Sequence, residues 1–105
     1  MIEPKRTSLA RLPTPLVRLN RLSNELKKEV WVKRDDLTEH GCSRNKIRKL
    51  EYRLAEAVAS GASHVITAGA IQSNHCRATA IASASLGLEC ELILRGSEPT
   101  SLEGN

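Results

Sequence analysis

A chain of 105 residues with 40% hydrophobic and 27% charged residues has room for one small hydrophobic core, and this composition excludes a wholly disordered tail or a collagen-like repeat. One Trp, one Tyr and no Phe leave that core to Leu, Ile, Val and Ala, which suits helices packed on a sheet. The net charge is +4, but residues 1–53 hold 14 of the 16 basic residues against 7 acids, a surplus of +7, so the positive field is an amino-terminal feature open to an anionic cofactor, an acidic partner or plain solvation.

Residues 1–24 are expected to be irregular: Pro4, Pro13 and Pro15 break helices, and the Pro-Thr-Pro-Leu stretch favours extended backbone before a short turn at Leu19-Asn20-Arg21-Leu22. This part reads as an arm lying on something larger. Val30-Trp31-Val32-Lys33-Arg34 alternates with β-branched residues and predicts a short strand running into a polar loop over 37–44. From Asn45 the period becomes helical, with Ile47, Leu50, Leu54 and Val58 on one face, Asn45 as N-cap and Gly61 as the stop. His64-Val65-Ile66-Thr67 predicts a buried strand ending at Ala68-Gly69-Ala70, and Ser73 or Asn74 caps a second helix through Ala78, Ile81, Ala82 and Leu86 to Gly87. Glu91-Leu92-Ile93-Leu94 predicts a third strand. Strand, helix, strand, helix, strand with short connections implies an α/β fold, with crossover helices and one parallel sheet. Three parallel strands need cover on both faces and two helices cannot supply it, so a folded unit larger than this chain is expected.

Two places could carry chemistry. Lys46 falls at the first helical position after a cap, beside Arg44, Arg48 and Lys49, and the positive helix end and neighbouring cations dispose its amine to nucleophilic chemistry; an ordinary surface lysine is the alternative. The second is Gly69-Ala70-Ile71-Gln72-Ser73-Asn74-His75, between the carboxyl end of a strand and the start of a helix. Open α/β sheets bind ligands at that edge, where free amides offer donors to a carboxylate or phosphate; a capped helix start and nothing more is the alternative. His75 with Cys76, and His40 with Cys42, lack further ligands, and adjacent helical residues point about 100° apart, so no metal site is expected. Cys42, Cys76 and Cys90 are odd in number with no C-x-x-C pair, and read as free thiols in a reducing compartment. No apolar run approaches the ~20 residues that span a bilayer and no secretory h-region opens the chain, so a cytoplasmic protein with no membrane partner is expected.

Val32-Lys33-Arg34-Asp35-Asp36-Leu37-Thr38, then Asn45-Lys46-Ile47-Arg48-Lys49-Leu50-Glu51-Tyr52, then Thr67-Ala68-Gly69-Ala70-Ile71-Gln72-Ser73-Asn74-His75 together resemble the D-cysteine desulfhydrase and 1-aminocyclopropane-1-carboxylate deaminase family. The similarity runs from about Pro13 to about Arg95, in order and with matching spacing. It implies the tryptophan-synthase-β type of fold and a pyridoxal 5'-phosphate cofactor, with residues 1–48 in the larger cofactor domain and 49–105 opening a smaller α/β domain. It also implies that Lys46 carries the cofactor and moves protons at the substrate carbons, and that Asn74 contacts the cofactor ring hydroxyl. Gln72 and Ser73 match residues near the substrate carboxylate, Ser73 with a more direct catalytic role in the deaminase branch, and His75 borders the site. The implied substrate is a small amino acid, which either loses a β-thiol to give keto acid, ammonia and sulfide or undergoes ring opening and deamination. A homo-oligomer is implied for the full-length enzyme.

Two departures accompany the resemblance. The family has Gly-Gly before Asn-Lys, whereas Cys42-Ser43-Arg44 precedes Asn45 here, placing a bulky cation where the backbone passes close to the cofactor. The relatives are also much longer, and their phosphate cradle, pyridine-nitrogen partner and specificity residues match nothing before residue 105, so an incomplete enzyme, inactive alone, is expected. A reading from another class is a non-catalytic interaction module or pseudoenzyme fragment with a basic amino-terminal arm. Nucleic acid is the least favoured partner, because base-stacking aromatics are nearly absent.

Overall fold

Two small sheets of different construction organise the chain in the computed structural model, which describes residues 4–38, 46–97 and 101. The first is an antiparallel pair, β1 (Leu16–Arg18) and β2 (Trp31–Lys33), joined through α1 (Asn20–Leu26). The second is a parallel pair, β3 (His64–Ala70) and β4 (Glu89–Arg95), in register from His64 opposite Glu89 to Ala70 opposite Arg95. Between the sheets come a 3-10 turn, Asp35–Leu37, and α2 (Ile47–Ala59); α3 (Asn74–Ser85) crosses from β3 to β4. The α/β class stands, and the parallel sheet is one part of a larger fold.

Three expectations change. The strand expected over 30–34 forms, as β2, but it pairs with β1 and not with the parallel sheet. Its sequence neighbour β1 is near enough to pair antiparallel across a short connection, whereas parallel pairing demands a long crossover. Residues 1–24 are not irregular throughout: no proline falls between Pro15 and Pro99, and both β1 and the start of α1 form directly after Pro15. The hairpin is closed by the buried Ser23, whose Oγ accepts from the Val30 amide at 3.0 Å, while Lys27, at φ 49°, turns the chain out of α1. Strand β3 ends at Ala70 as expected, whereas β4 runs longer than the expected 91–94, from Glu89 to Arg95.

On α2 the expected stripe is buried at Ile47, Leu50 and Leu54, but Val58 is half exposed and Glu51 is buried in its place. The expected cap, Asn45, lies outside the described residues, as do His40, Cys42, Ser43 and Arg44; in the structure Lys46 itself occupies the N-cap position, with α2 beginning at Ile47. Ser73 caps α3 as expected. Ala10 of the arm, Ile47, Leu50 and Leu54 of α2, and Ala78 and Ala82 of α3 form one core, with Val65, Leu86 and Leu88 packed against it. Small side chains on α3 let the two helices approach closely. Burial alternates along β3, so one sheet face meets α3 while the other shows Ile66 (62% exposed) and Ile93 (60%) to solvent. That one-sided cover is what two helices can give to a parallel pair. Among the described residues, no helix is long and apolar enough to cross a membrane.

Candidate functional site

Lys46 stands half-buried at the free amino end of α2, and its carbonyl accepts from the Lys49 amide at 3.2 Å and the Leu50 amide at 3.1 Å. The lysine backbone therefore belongs to the first turn, although its own side chain does not cap that turn. What holds it is tertiary. Arg48 grips Asp35 with two hydrogen bonds, Nε to Oδ2 at 2.9 Å and Nη2 to Oδ1 at 2.8 Å, and Thr14 donates to the same Asp35 Oδ1 at 2.8 Å. The bond from Arg48, then that from Thr14, hold the Asp35 carboxyl below its ordinary range, and Asp35 raises Arg48 in turn.

The second element is the carboxyl end of β3 and the start of α3. Ser73 is extended (φ −74°, ψ 113°), and its Oγ accepts from the Cys76 amide at 3.2 Å, the geometry of an N-cap. Its own amide donates to Ala70 O at 2.9 Å, so the turn over Ile71 and Gln72 is closed. Ser73 is half-buried, whereas Gln72 and Asn74 are exposed. Gly69 makes this close fit possible: a Cβ there would lie 2.7 Å from both Ser73 Oγ and Cys76 Sγ.

His75 ties β3 to α3 within the second element. Its Nε2 lies 3.1 Å from Thr67 Oγ1 on β3, its carbonyl accepts from Thr79 Oγ1 at 2.8 Å, and its Nδ1 is buried without a hydrogen-bond partner. Burial first, then the charges of Lys49 and Lys46, push its pKa below the ordinary histidine value. Both lysines at the start of α2 thus oppose protonation of the second residue of α3. Lys46 stands at the start of α2 and the Gln72-Ser73-Asn74-His75 run at the start of α3, and the two helices share one core. No acidic side chain stands in the first turn of either helix, so the corner is positive and rich in neutral donors.

Glu51 was absent from the expected site. It is 1% exposed and takes part in holding the arm, with Oε1 accepting from the Leu9 and Ala10 amides at 2.9 and 2.8 Å. The signal for it was present in the sequence as an acidic residue four positions after Ile47 and three before Leu54, squarely within the apolar stripe.

Residues 7–103 match the family model described as pyridoxal-phosphate dependent enzyme. D-cysteine desulfhydrases of Salmonella paratyphi B (strain ATCC BAA-1250 / SPB7) and Salmonella newport (strain SL254) are each 49% identical over 98 residues, covering 93% of this chain and 30% of theirs. A crystal structure of an ACC deaminase homologue superposes with a TM-score of 0.79 at 45% identity, over 92% of this chain and 30% of that one. The chain thus spans about 30% of the length of the curated relatives it matches.

Proposed function

The chain belongs to the family of pyridoxal-phosphate-dependent enzymes, and on that premise we propose that Lys46 and the Gln72–His75 run form the cofactor and substrate corner of a lyase or deaminase acting on a small amino acid. The observation that carries this reading is the core shared by α2 and α3, in which Ile47, next to Lys46, belongs to the same buried cluster as Ala78, four residues after Asn74. The residues present fit part of the cofactor. An amine, a neutral amide beside it, and an unpartnered buried imidazole nitrogen suit an anchored pyridine ring with a hydroxyl.

Lys46 supplies the anchoring amine and moves a proton at the substrate α-carbon. Asn74 orients the ring through its hydroxyl. Gln72, Ser73 and the open amides of the first turn of α3 bind the substrate carboxylate, favoured by the positive helix end. His75, neutral because burial and two cations oppose its protonation, borders the site without repelling the amine. When bound, pyridoxal phosphate supplies the electron sink that makes α-proton loss possible.

The D-cysteine desulfhydrase and ACC deaminase resemblance supports two chemistries, β-elimination to keto acid, ammonia and sulfide, or ring opening with deamination. The same reading gives a cytoplasmic, homo-oligomeric enzyme in which residues 1–48 contribute to the cofactor domain and 49–105 to the smaller α/β domain. Activity is expected to require residues beyond those matched here. To test the corner, the chain is mixed with pyridoxal phosphate, reduced with borohydride and mapped by peptide mass spectrometry. A pyridoxyl group concentrated on Lys46, and lost in Lys46→Ala, is expected. Label scattered over the surface lysines would instead favour a non-catalytic interaction module.

A further inference from the structure

A carboxylate 1% exposed in the apolar stripe of α2 needs a reason, since burying a charge is costly unless it is well paired. Glu51 receives three donors from the amino-terminal arm: the Leu9 amide at 2.9 Å, the Ala10 amide at 2.8 Å, and Arg6 Nε at 3.2 Å from its other oxygen. Its main-chain carbonyl accepts a fourth, the Thr7 amide at 3.0 Å. One residue thus reads four positions of the arm between Arg6 and Ala10, using both its backbone and its side chain. An apolar residue here would pack the arm equally well, as buried ion pairs often yield to hydrophobic replacements without loss, but it would leave the arm free to slide. The polar choice sets register.

The arm's register matters because its far end is sewn to the same helix. Thr14 donates to Asp35, which Arg48 holds with two bonds. The arm is therefore fastened to positions 48 and 51, the two turns that follow Lys46, whose carbonyl receives the Lys49 and Leu50 amides. The Lys46 side chain does not cap this helix start, and the strap steadies it from the arm.

We propose that Glu51 is a positioning residue for Lys46: by strapping the arm across α2 in one register, it holds the turn that presents the amine. This rests on the cofactor reading above, and it is tested so that the two can fail separately. The first readout needs no cofactor. In Glu51→Gln, amide hydrogen exchange at Lys49 and Leu50 is expected to rise about tenfold, the factor that follows from weakening a hydrogen bond to a charged group, while the amides over 54–57 hold their rates. The second readout is selectivity, the ratio of borohydride-fixed pyridoxyl on Lys46 to that on Lys49, which is expected to drop roughly tenfold or more, as a misplaced reacting group does. A purely structural role would speed exchange along the whole helix and lower both labels together. Unchanged exchange at Lys49 and Leu50, or an unchanged ratio where the unaltered chain prefers Lys46, overturns the proposal. No preference for Lys46 in the unaltered chain overturns the cofactor reading alone, and the exchange data then decide on the strap. Should Glu51→Gln fail to fold by circular dichroism, Arg6→Ala takes its place. It removes only the partly exposed ion pair, so changes in the same direction of about twofold are expected, and none at all sinks the strap.

Discussion

The amino ends of α2 and α3 are secured in opposite ways. The start of α3 is local: Ser73 caps it, Thr67 braces His75, and Gly69 makes room for Ser73 and Cys76, all within residues 67–76. The start of α2 is non-local: Asp35, itself bound by Thr14, holds Arg48, and the arm from Arg6 to Ala10 holds Glu51, at separations of up to 45 residues along the chain. A capped start can form as soon as its own segment folds. A strapped start exists only once distant segments have arrived, so the lysine turn is set by the whole assembly and the polar turn by its own sequence.

The hardest blow to both starts falls on the core they share. Leu54, 2% exposed, packs in the cluster that contains Ala78 and Ala82, and Leu54→Ala is expected to cost about 2–5 kcal/mol, enough to abolish the cooperative urea transition of so small a domain. A transition that keeps its midpoint would show that the helices do not depend on each other. Next comes Gly69→Ala, whose new methyl would meet Ser73 Oγ and Cys76 Sγ; a loss of about 1–3 kcal/mol by chemical denaturation is expected, with exchange quickened in α3 before α2. Equal quickening in both helices would erase the distinction between local and strapped starts. Ser73→Ala removes the cap alone, and should cost roughly 1 kcal/mol without touching exchange at Lys49 and Leu50.

The smallest effect is electrostatic. Because the folded pKa of His75 lies below its unfolded value, the neutral ring contributes stability above about pH 6.5, and that contribution is lost as pH falls from there toward the lowered folded value. Burial remains in Lys49→Gln but one opposing charge goes, so the His75 titration followed by nitrogen-15 NMR should move upward in pH, still short of the ordinary value. A midpoint that stays put would mean that the α2 lysines do not reach His75, and with it the meeting of the two starts would fall.

How much could be read beforehand follows the same division. The α3 start was legible because its cap, its glycine and its neighbours are contiguous, and the motif around Lys46 was legible as a motif. The partners of Glu51 and Arg48 were not, since nothing in a linear pattern says that residues 6–14 will lie across a helix dozens of positions away. The pairing of β2 was misjudged for a related reason. Trp31-Val32-Lys33 is a good strand in any sheet, and its partner was decided by the proximity of Leu16–Arg18 once α1 had folded.

By itself, the sequence determined the identity of the elements from α2 onward, the cap on α3, and the residue types gathered at the Lys46 corner, since each depends on spacing or on side chains within one turn. Tertiary structure alone decided which strands pair, where the arm runs, and why an acid sits in an apolar stripe. Those outcomes depend on donors and acceptors distant in sequence finding one another, and only a folded chain brings them within hydrogen-bonding distance.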